Sequence, residues 1–184
     1  MAVSAVSLKS AWQKIPPSIR AFGKRALMLL VGWIILYNTL LKPYRIPDRW
    51  LSNLTAKATA AFMTQVYKPS GFMEKDGWAC VTMNNRSIIR IGDPCNALDL
   101  FVLYLGFMLC IPRSKQRMLL FSIGGLVAIF AINVLRCAAL AWMALQNHDW
   151  IEFAHKYVFT AIVYCCIFAG WVWYAKDHKL KSDL

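Results

Sequence analysis

The sequence predicts an all-α integral membrane protein with about four transmembrane helices, an interfacial amphipathic helix and a small extracytoplasmic β-hairpin. Three observations predict it. Hydrophobic residues make up 59% of the 184 residues and charged residues only 16%, where a soluble domain carries about a quarter charged. The apolar residues are gathered into long runs separated by short polar segments. The net charge of +12 is built from Lys and Arg that stand beside those runs, as membrane topology and anionic lipid headgroups require. Zinc-finger spacing is absent, and no basic helix is interleaved with base-stacking aromatics, so membrane lipids and not nucleic acid are the expected partner.

Residues 1–25 form a basic segment, with Lys9, Lys14, Arg20, Lys24 and Arg25 and no acid, broken by Pro16-Pro17. The apolar run 26–41 follows. A basic start before an apolar run is also how a signal peptide begins, but no small-residue cleavage site follows, which predicts an uncleaved first span with a cytoplasmic N-terminus. Residues 42–49 (KPYRIPDR) read as a loop punctuated by Pro43 and Pro47.

Residues 50–67 place Leu51, Leu54, Ala58, Ala61, Phe62 and Val66 at helical spacing, with Asn53, Lys57, Thr59 and Gln65 between them. That pattern predicts an amphipathic helix at the interface rather than a span. Residues 68–95 are polar and read as an extracytoplasmic loop. Within it Trp78–Met83 and Ser87–Ile91 flank Asn84-Asn85, a hairpin signal, because Asn tolerates the positive φ of a tight turn.

Three further spans are expected at 96–111, 118–145 and 157–175. The loop around 112–117 (PRSKQR) is basic, the loop 146–154 (QNHDWIEFA) carries acids without Lys or Arg, and the tail holds Lys176, Lys179 and Lys181. Basic segments stay inside. The N-terminus, the 112–117 loop and the tail are therefore expected inside a cell (inner) membrane, with 146–154 outside. Residues 42–95 lie outside despite their Lys and Arg, since long loops translocate with less regard for charge.

Six cysteines are present, at 80, 95, 110, 137, 165 and 166, with no C-x-x-C pair and no zinc spacing. Four lie in apolar runs, where Cys acts as a small hydrophobe; Cys80 and Cys95 do not. Depth singles out Cys95. A helix rises about 1.5 Å per residue through a core about 30 Å thick. Cys95 then lies about 24 Å above Ile111, Arg136 about 27 Å above Met118, and His155 about 30 Å above Ala175. Three residues from three helices reach one level near the outer face.

Each has chemistry to offer there. Cys95 follows Pro94 at an expected helix start, where free N–H groups favour a thiolate. His155 can take the thiol proton and return it to a leaving amine. Arg136, costly at this depth, can donate to a thiolate or an oxyanion. Asn133, one turn before Arg136, either hydrogen-bonds within the bundle or orients the guanidinium. Asp99 can pair with Arg136 or be a solvated helix start. His148 is an alternative base. The competing structural reading pairs Cys80 with Cys95 in a disulfide, lets Arg136 snorkel outward, and makes the chain a non-catalytic membrane scaffold or assembly factor. A small transporter fits less well, with a single deep charge and no repeat of broken helices.

The order Cys, then N-x-x-R in a long span, then His opening a last span resembles the exosortase/archaeosortase family. The matching stretches are DPCNALDLF, INVLRCAAL and FAHKYVF, with 41 residues from Cys95 to Arg136 and 19 from Arg136 to His155. The resemblance covers residues 78–175. It implies a multi-spanning cysteine transpeptidase or protease that cleaves C-terminal sorting signals at the outer face, with Cys95, Arg136 and His155 as the catalytic triad. It implies protein substrates bearing such a signal and no metal or organic cofactor. Many members have Gly two residues after the nucleophile where this chain has Ala97, and many carry additional N-terminal spans. This short form leaves room for an accessory membrane protein or a homo-oligomer.

Overall fold

The computed structural model describes residues 15–111, 113–146 and 149–176. Helix α1, Pro17–Leu36, begins with Pro17 at its first turn, where the missing N–H costs nothing. It runs on through a π-helical turn, Tyr37–Leu41, and the short helix Lys42–Tyr44. Arg45, at φ 49°, breaks the chain, and α2, Ile46–Val66, follows with Pro47 in its first turn. Most of the expected 42–49 loop is therefore helical: Pro47 sits in the first turn of α2, where a helix tolerates it, and Pro43 follows the π-helical turn at the end of the preceding helix.

Helix α2 corrects the reading of residues 50–67. The buried face is Leu51, Ser52, Thr55, Ala56, Thr59, Ala60 and Met63. Leu54, Phe62 and Val66 from the expected apolar face point outward. Small side chains let helices approach closely, which is the packing logic of membrane helices. The hydroxyls of Ser52, Thr55 and Thr59 are buried there without hydrogen-bond partners among the described residues.

A three-stranded antiparallel sheet follows: β1 Gly71–Lys75, β2 Trp78–Met83 and β3 Arg86–Ile91, in the order β1-β2-β3. The β2–β3 hairpin turns on Asn84 and Asn85, both at positive φ. The first strand was missed from the sequence, although Asp76-Gly77, also at positive φ, is a strong hairpin signal. Ala79, Val81 and Ile91 pack with Ala56 and Ala60 of α2 and with Cys137.

The 3₁₀ turn Asp93–Cys95 leads into α3, Leu98–Cys110; α4 is Lys115–Leu145. The one-turn helix Ile151–Phe153 and the π segment Ala154–Val158 open α5, Phe159–Ala175. Three continuous helices are long and apolar enough to cross a bilayer: Pro17–Tyr44, Lys115–Leu145 and Ile151–Ala175. The fold is that of a helical membrane protein, with three such helices and not four among the described residues. The expected span 96–111 yields a 13-residue helix, about 20 Å long against a core of about 30 Å. It is short because the 3₁₀ turn and Ala97, at φ 69°, delay its start to Leu98.

Helix α3 nevertheless runs alongside α1. Arg25 of α1 donates to the carbonyl of Cys110 at one end, 3.4 Å away, and Tyr37 reaches the α2 start at the other. Tyr104 of α3 anchors the bundle. It is buried, donates to the Phe121 carbonyl at 3.1 Å and lies against Gly125 and Gly170. Arg117 caps the end of α5 through the carbonyls of Trp173 and Lys176.

Candidate active site

Cys95, Arg136 and His155 meet in space. Cys95 Sγ lies 3.3 Å from His155 Nε2, and Arg136 Nη2 lies 3.0 Å from the same nitrogen and 3.8 Å from the sulfur. Each side chain comes from a different element. Cys95 closes the 3₁₀ turn, Arg136 stands in α4 and His155 in the π segment before α5. Single π turns inside helices recur at functional sites because they re-aim one side chain; here the widened turn carries the imidazole.

Donor–acceptor logic fixes the tautomer. A guanidinium nitrogen can only donate, so Nε2 accepts and Nδ1 carries the imidazole proton. The thiol is then the second donor toward the same lone pair. The arrangement is a Cys–His pair with a permanent cation against it. Arg136 is 9% exposed. It is held inside and does not snorkel outward, and its Nε is buried without a partner among the described residues.

Two expectations are corrected here. Cys95 is not at the helix start. It lies three residues before Leu98, and its own N–H is already donated to the Gly92 carbonyl at 2.8 Å. The cation of Arg136, not a helix terminus, is the positive group at the sulfur. A disulfide between Cys80 and Cys95 does not form, and all six cysteines are free. Cys80 is buried in β2, its thiol 3.7 Å from the Trp78 carbonyl.

Asn133 has a defined task. Its Nδ2 donates to the backbone carbonyl of Cys95 at 2.8 Å. It therefore holds the Cys95 backbone, and its side chain makes no bond to the guanidinium. Asp99 is exposed in the first turn of α3 and pairs with neither Arg136 nor another cation among the described residues. His148 lies outside the described residues.

The cluster opens into a cleft of about 200 Å³ lined by Arg90, Ile91, Cys95, Cys137, Leu140 and His155. A larger cavity of about 420 Å³ between α4 and α5, bordered by Gly124, Gly125, Ile129 and Trp173, is apolar and has no acid–base pair. The smaller cleft is the one that reaches the Cys95 and His155 side chains.

Sequence reasoning missed Asp48 and Asn96. Both are fully buried and bonded to each other beside Cys95. The signal available was an acid close to Pro47, at a helix start. No protein-family model matches the chain, and no curated protein or solved structure matches it.

Proposed function

We propose that this protein is a membrane-embedded cysteine peptidase or transpeptidase of the exosortase kind, cleaving proteins that carry a C-terminal sorting signal. The observation that carries the reading is the approach of Cys95 Sγ to His155 Nε2, 3.3 Å, with Arg136 against both. A thiol, a base and a fixed donor within reach of one another are the parts that acyl transfer needs.

The chemistry runs in two halves. His155 Nε2 takes the thiol proton as Cys95 Sγ attacks the scissile carbonyl carbon. The carbonyl oxygen becomes an oxyanion that accepts hydrogen bonds from Arg136. Collapse breaks the C–N bond, and the imidazolium returns its proton to the departing amine. A thioester on Cys95 remains. A second nucleophile, water or an acceptor amine or hydroxyl, attacks that thioester while His155 takes its proton. Thiolate leaves and is reprotonated. Water makes the enzyme a protease; another acceptor makes it a transpeptidase.

The membrane arrangement in this reading places the starts of α1 and α4 at the cytoplasmic face of the cell membrane. Helix α3 returns the chain between them, and its short length sets Cys95 in the outer leaflet. The sheet and α2 then stand on the extracytoplasmic side. A substrate helix would dock laterally and present its outer end to the cleft.

The decisive test is co-expression with a sorting-signal protein. Substrate shortening that depends on Cys95, is lost in Cys95→Ala and leaves at most a trace in Cys95→Ser is the expected result. Normal shortening by Cys95→Ala would end the cysteine-enzyme reading.

A further inference from the structure

The turn that carries Cys95 is held from outside itself by the segment that joins α1 to α2. Asp48, in the first turn of α2, is 2% exposed. Its Oδ1 accepts from Asn96 Nδ2 at 2.8 Å and its Oδ2 from the Tyr37 hydroxyl at 3.1 Å. The same Asn96 nitrogen also reaches the Asp48 backbone carbonyl at 3.3 Å. Asp48 forms no salt bridge among the described residues. A buried carboxylate is tolerated only when its oxygens are hydrogen-bonded, and a helix N-terminus adds a favourable dipole.

Asn96 passes the constraint on. It follows Cys95 directly, is completely buried, and its Oδ1 accepts from the Leu98 N–H at 2.9 Å. Its two ends therefore tie the α2 start to the α3 start across the residue next to the thiol. On the other side of Cys95, Arg45 donates to Asp93 at 2.6 Å and stacks on Trp78. That hydrogen bond pushes the Arg45 guanidinium still higher than its usual pKa. Asp48 differs from Arg45 in being sealed from water, so its bonds are not exchanged for solvent.

We propose that Asp48 is a positioning residue for Cys95: through Asn96 it fixes the turn that aims the thiol at His155 and Arg136, and through Tyr37 it couples that turn to the first membrane helix. The assignment rests on the reading of Cys95 as the nucleophile. Asp48 touches none of the three side chains, so its effect is geometric. It holds Sγ within 3.3 Å of Nε2, and losing that register removes the base from the thiol.

The test needs no substrate. Full-length protein in detergent is treated with iodoacetamide, and alkylation of Cys95 is followed by peptide mass spectrometry, which separates it from the other cysteines. Asp48→Asn keeps one acceptor for Asn96 and one group for Tyr37, and should alkylate within about threefold of wild type. Asp48→Leu keeps the γ-branched shape, adds some bulk and removes both side-chain bonds, and should slow alkylation at least about tenfold. In a His155→Ala background Asp48→Leu should add no further slowing, because the thiol has already lost its base; independent effects would multiply. Should Asp48→Leu be recovered unfolded, Asn96→Ser removes the donor to Asp48 while keeping an acceptor for Leu98, and the same slowing is expected. Wild-type alkylation in a folded Asp48→Leu or Asn96→Ser variant overturns the proposal, as does equal slowing in both backgrounds. The two readings fail separately: processing that survives Cys95→Ala removes the peptidase and leaves the alkylation comparison intact.

Discussion

Arg136 donates to His155 Nε2 across 3.0 Å, so the lone pair that would deprotonate Cys95 is already shared with a guanidinium. In this arrangement the arginine holds the imidazole as an acceptor. A substrate oxyanion offers the guanidinium a better acceptor, and transfer of the donor would free Nε2 for the proton. A planar fork can serve sulfur, ring nitrogen and oxyanion in turn; an ammonium on a flexible stem cannot. Arg136→Lys is therefore expected to lower processing about a hundredfold or more, in the range seen when an oxyanion donor is removed, although the charge is kept. Full activity in Arg136→Lys, measured as substrate shortening, would leave only a field effect for this residue.

Asn133 holds the Cys95 turn through one bond, from its Nδ2 to the Cys95 carbonyl. Asn133→Ala strands that partly buried carbonyl, at a cost of about 1–3 kcal/mol, and should give a partial processing defect. Asn133→Asp turns a donor into a second acceptor and should be worse than Ala. Thermal unfolding in detergent and processing assays rank the two. Identical behaviour of Ala and Asp would mean the amide–carbonyl bond is unimportant.

Ala97 sits at φ 69° and is 4% exposed. The left-handed conformation costs a non-glycine residue about 1–2 kcal/mol. Glycine would recover that, but it loses a buried methyl, about 0.8 kcal/mol, and loosens the unfolded chain by about 0.4–1 kcal/mol. Ala97→Gly should therefore stay within about 1 kcal/mol of wild type. Ala97→Val adds a β-branch to a disfavoured φ in a packed core, and should cost more than about 2 kcal/mol. A well-tolerated valine, read from the unfolding midpoint, contradicts the left-handed turn.

A Cβ on Gly125 would run into the Tyr104 ring. Because Tyr104 is buried and hydrogen-bonded to the Phe121 carbonyl, the ring has little room to retreat. Gly125→Ala is expected to destabilise the bundle by about 1–3 kcal/mol. Pairing it with Tyr104→Leu should recover part of the loss that Gly125→Ala causes alone. Gly124, on the same helix, has open space where a Cβ would go, so Gly124→Ala is the control and should be neutral or slightly stabilising. Equal effects at the two glycines would rule out the ring contact as the cause.

Reporter fusions address orientation. A fusion after Lys115 should report from inside and one after Trp150 from outside, because the Lys115 end is basic and the 146–154 loop is not. An outside signal at Lys115 would put the Cys95 cleft on the cytoplasmic side and remove access to extracytoplasmic acceptors.

Hydrophobic runs and charge placement were enough to read a helical membrane protein, and depth counting was enough to bring Cys95, Arg136 and His155 to one level. Both depend on local properties, the 1.5 Å rise per residue and the cost of charge in lipid. The hairpin at Asn84-Asn85 was legible for the same reason, since turn chemistry is local. The spacing of apolar residues misread α2, because within a bundle the small residues Ala56 and Ala60 are buried and Leu54 and Phe62 face outward. Periodicity locates the faces of a helix, but which face is buried depends on what packs against it.

The length of α3, the turn around Cys95 and the partners of Asn133 were settled only by tertiary structure. Asp48 shows the reason most clearly. It lies 48 residues from Asn96 in the chain, in a stretch that reads as a loop, and nothing local marks it as buried. Its two hydrogen bonds exist only because α1, α2 and the Cys95 turn converge, and a carboxylate is stable there only once all three are in place. The sequence by itself determined which residues have the chemistry; convergence of distant segments decided which of them are held where that chemistry can act.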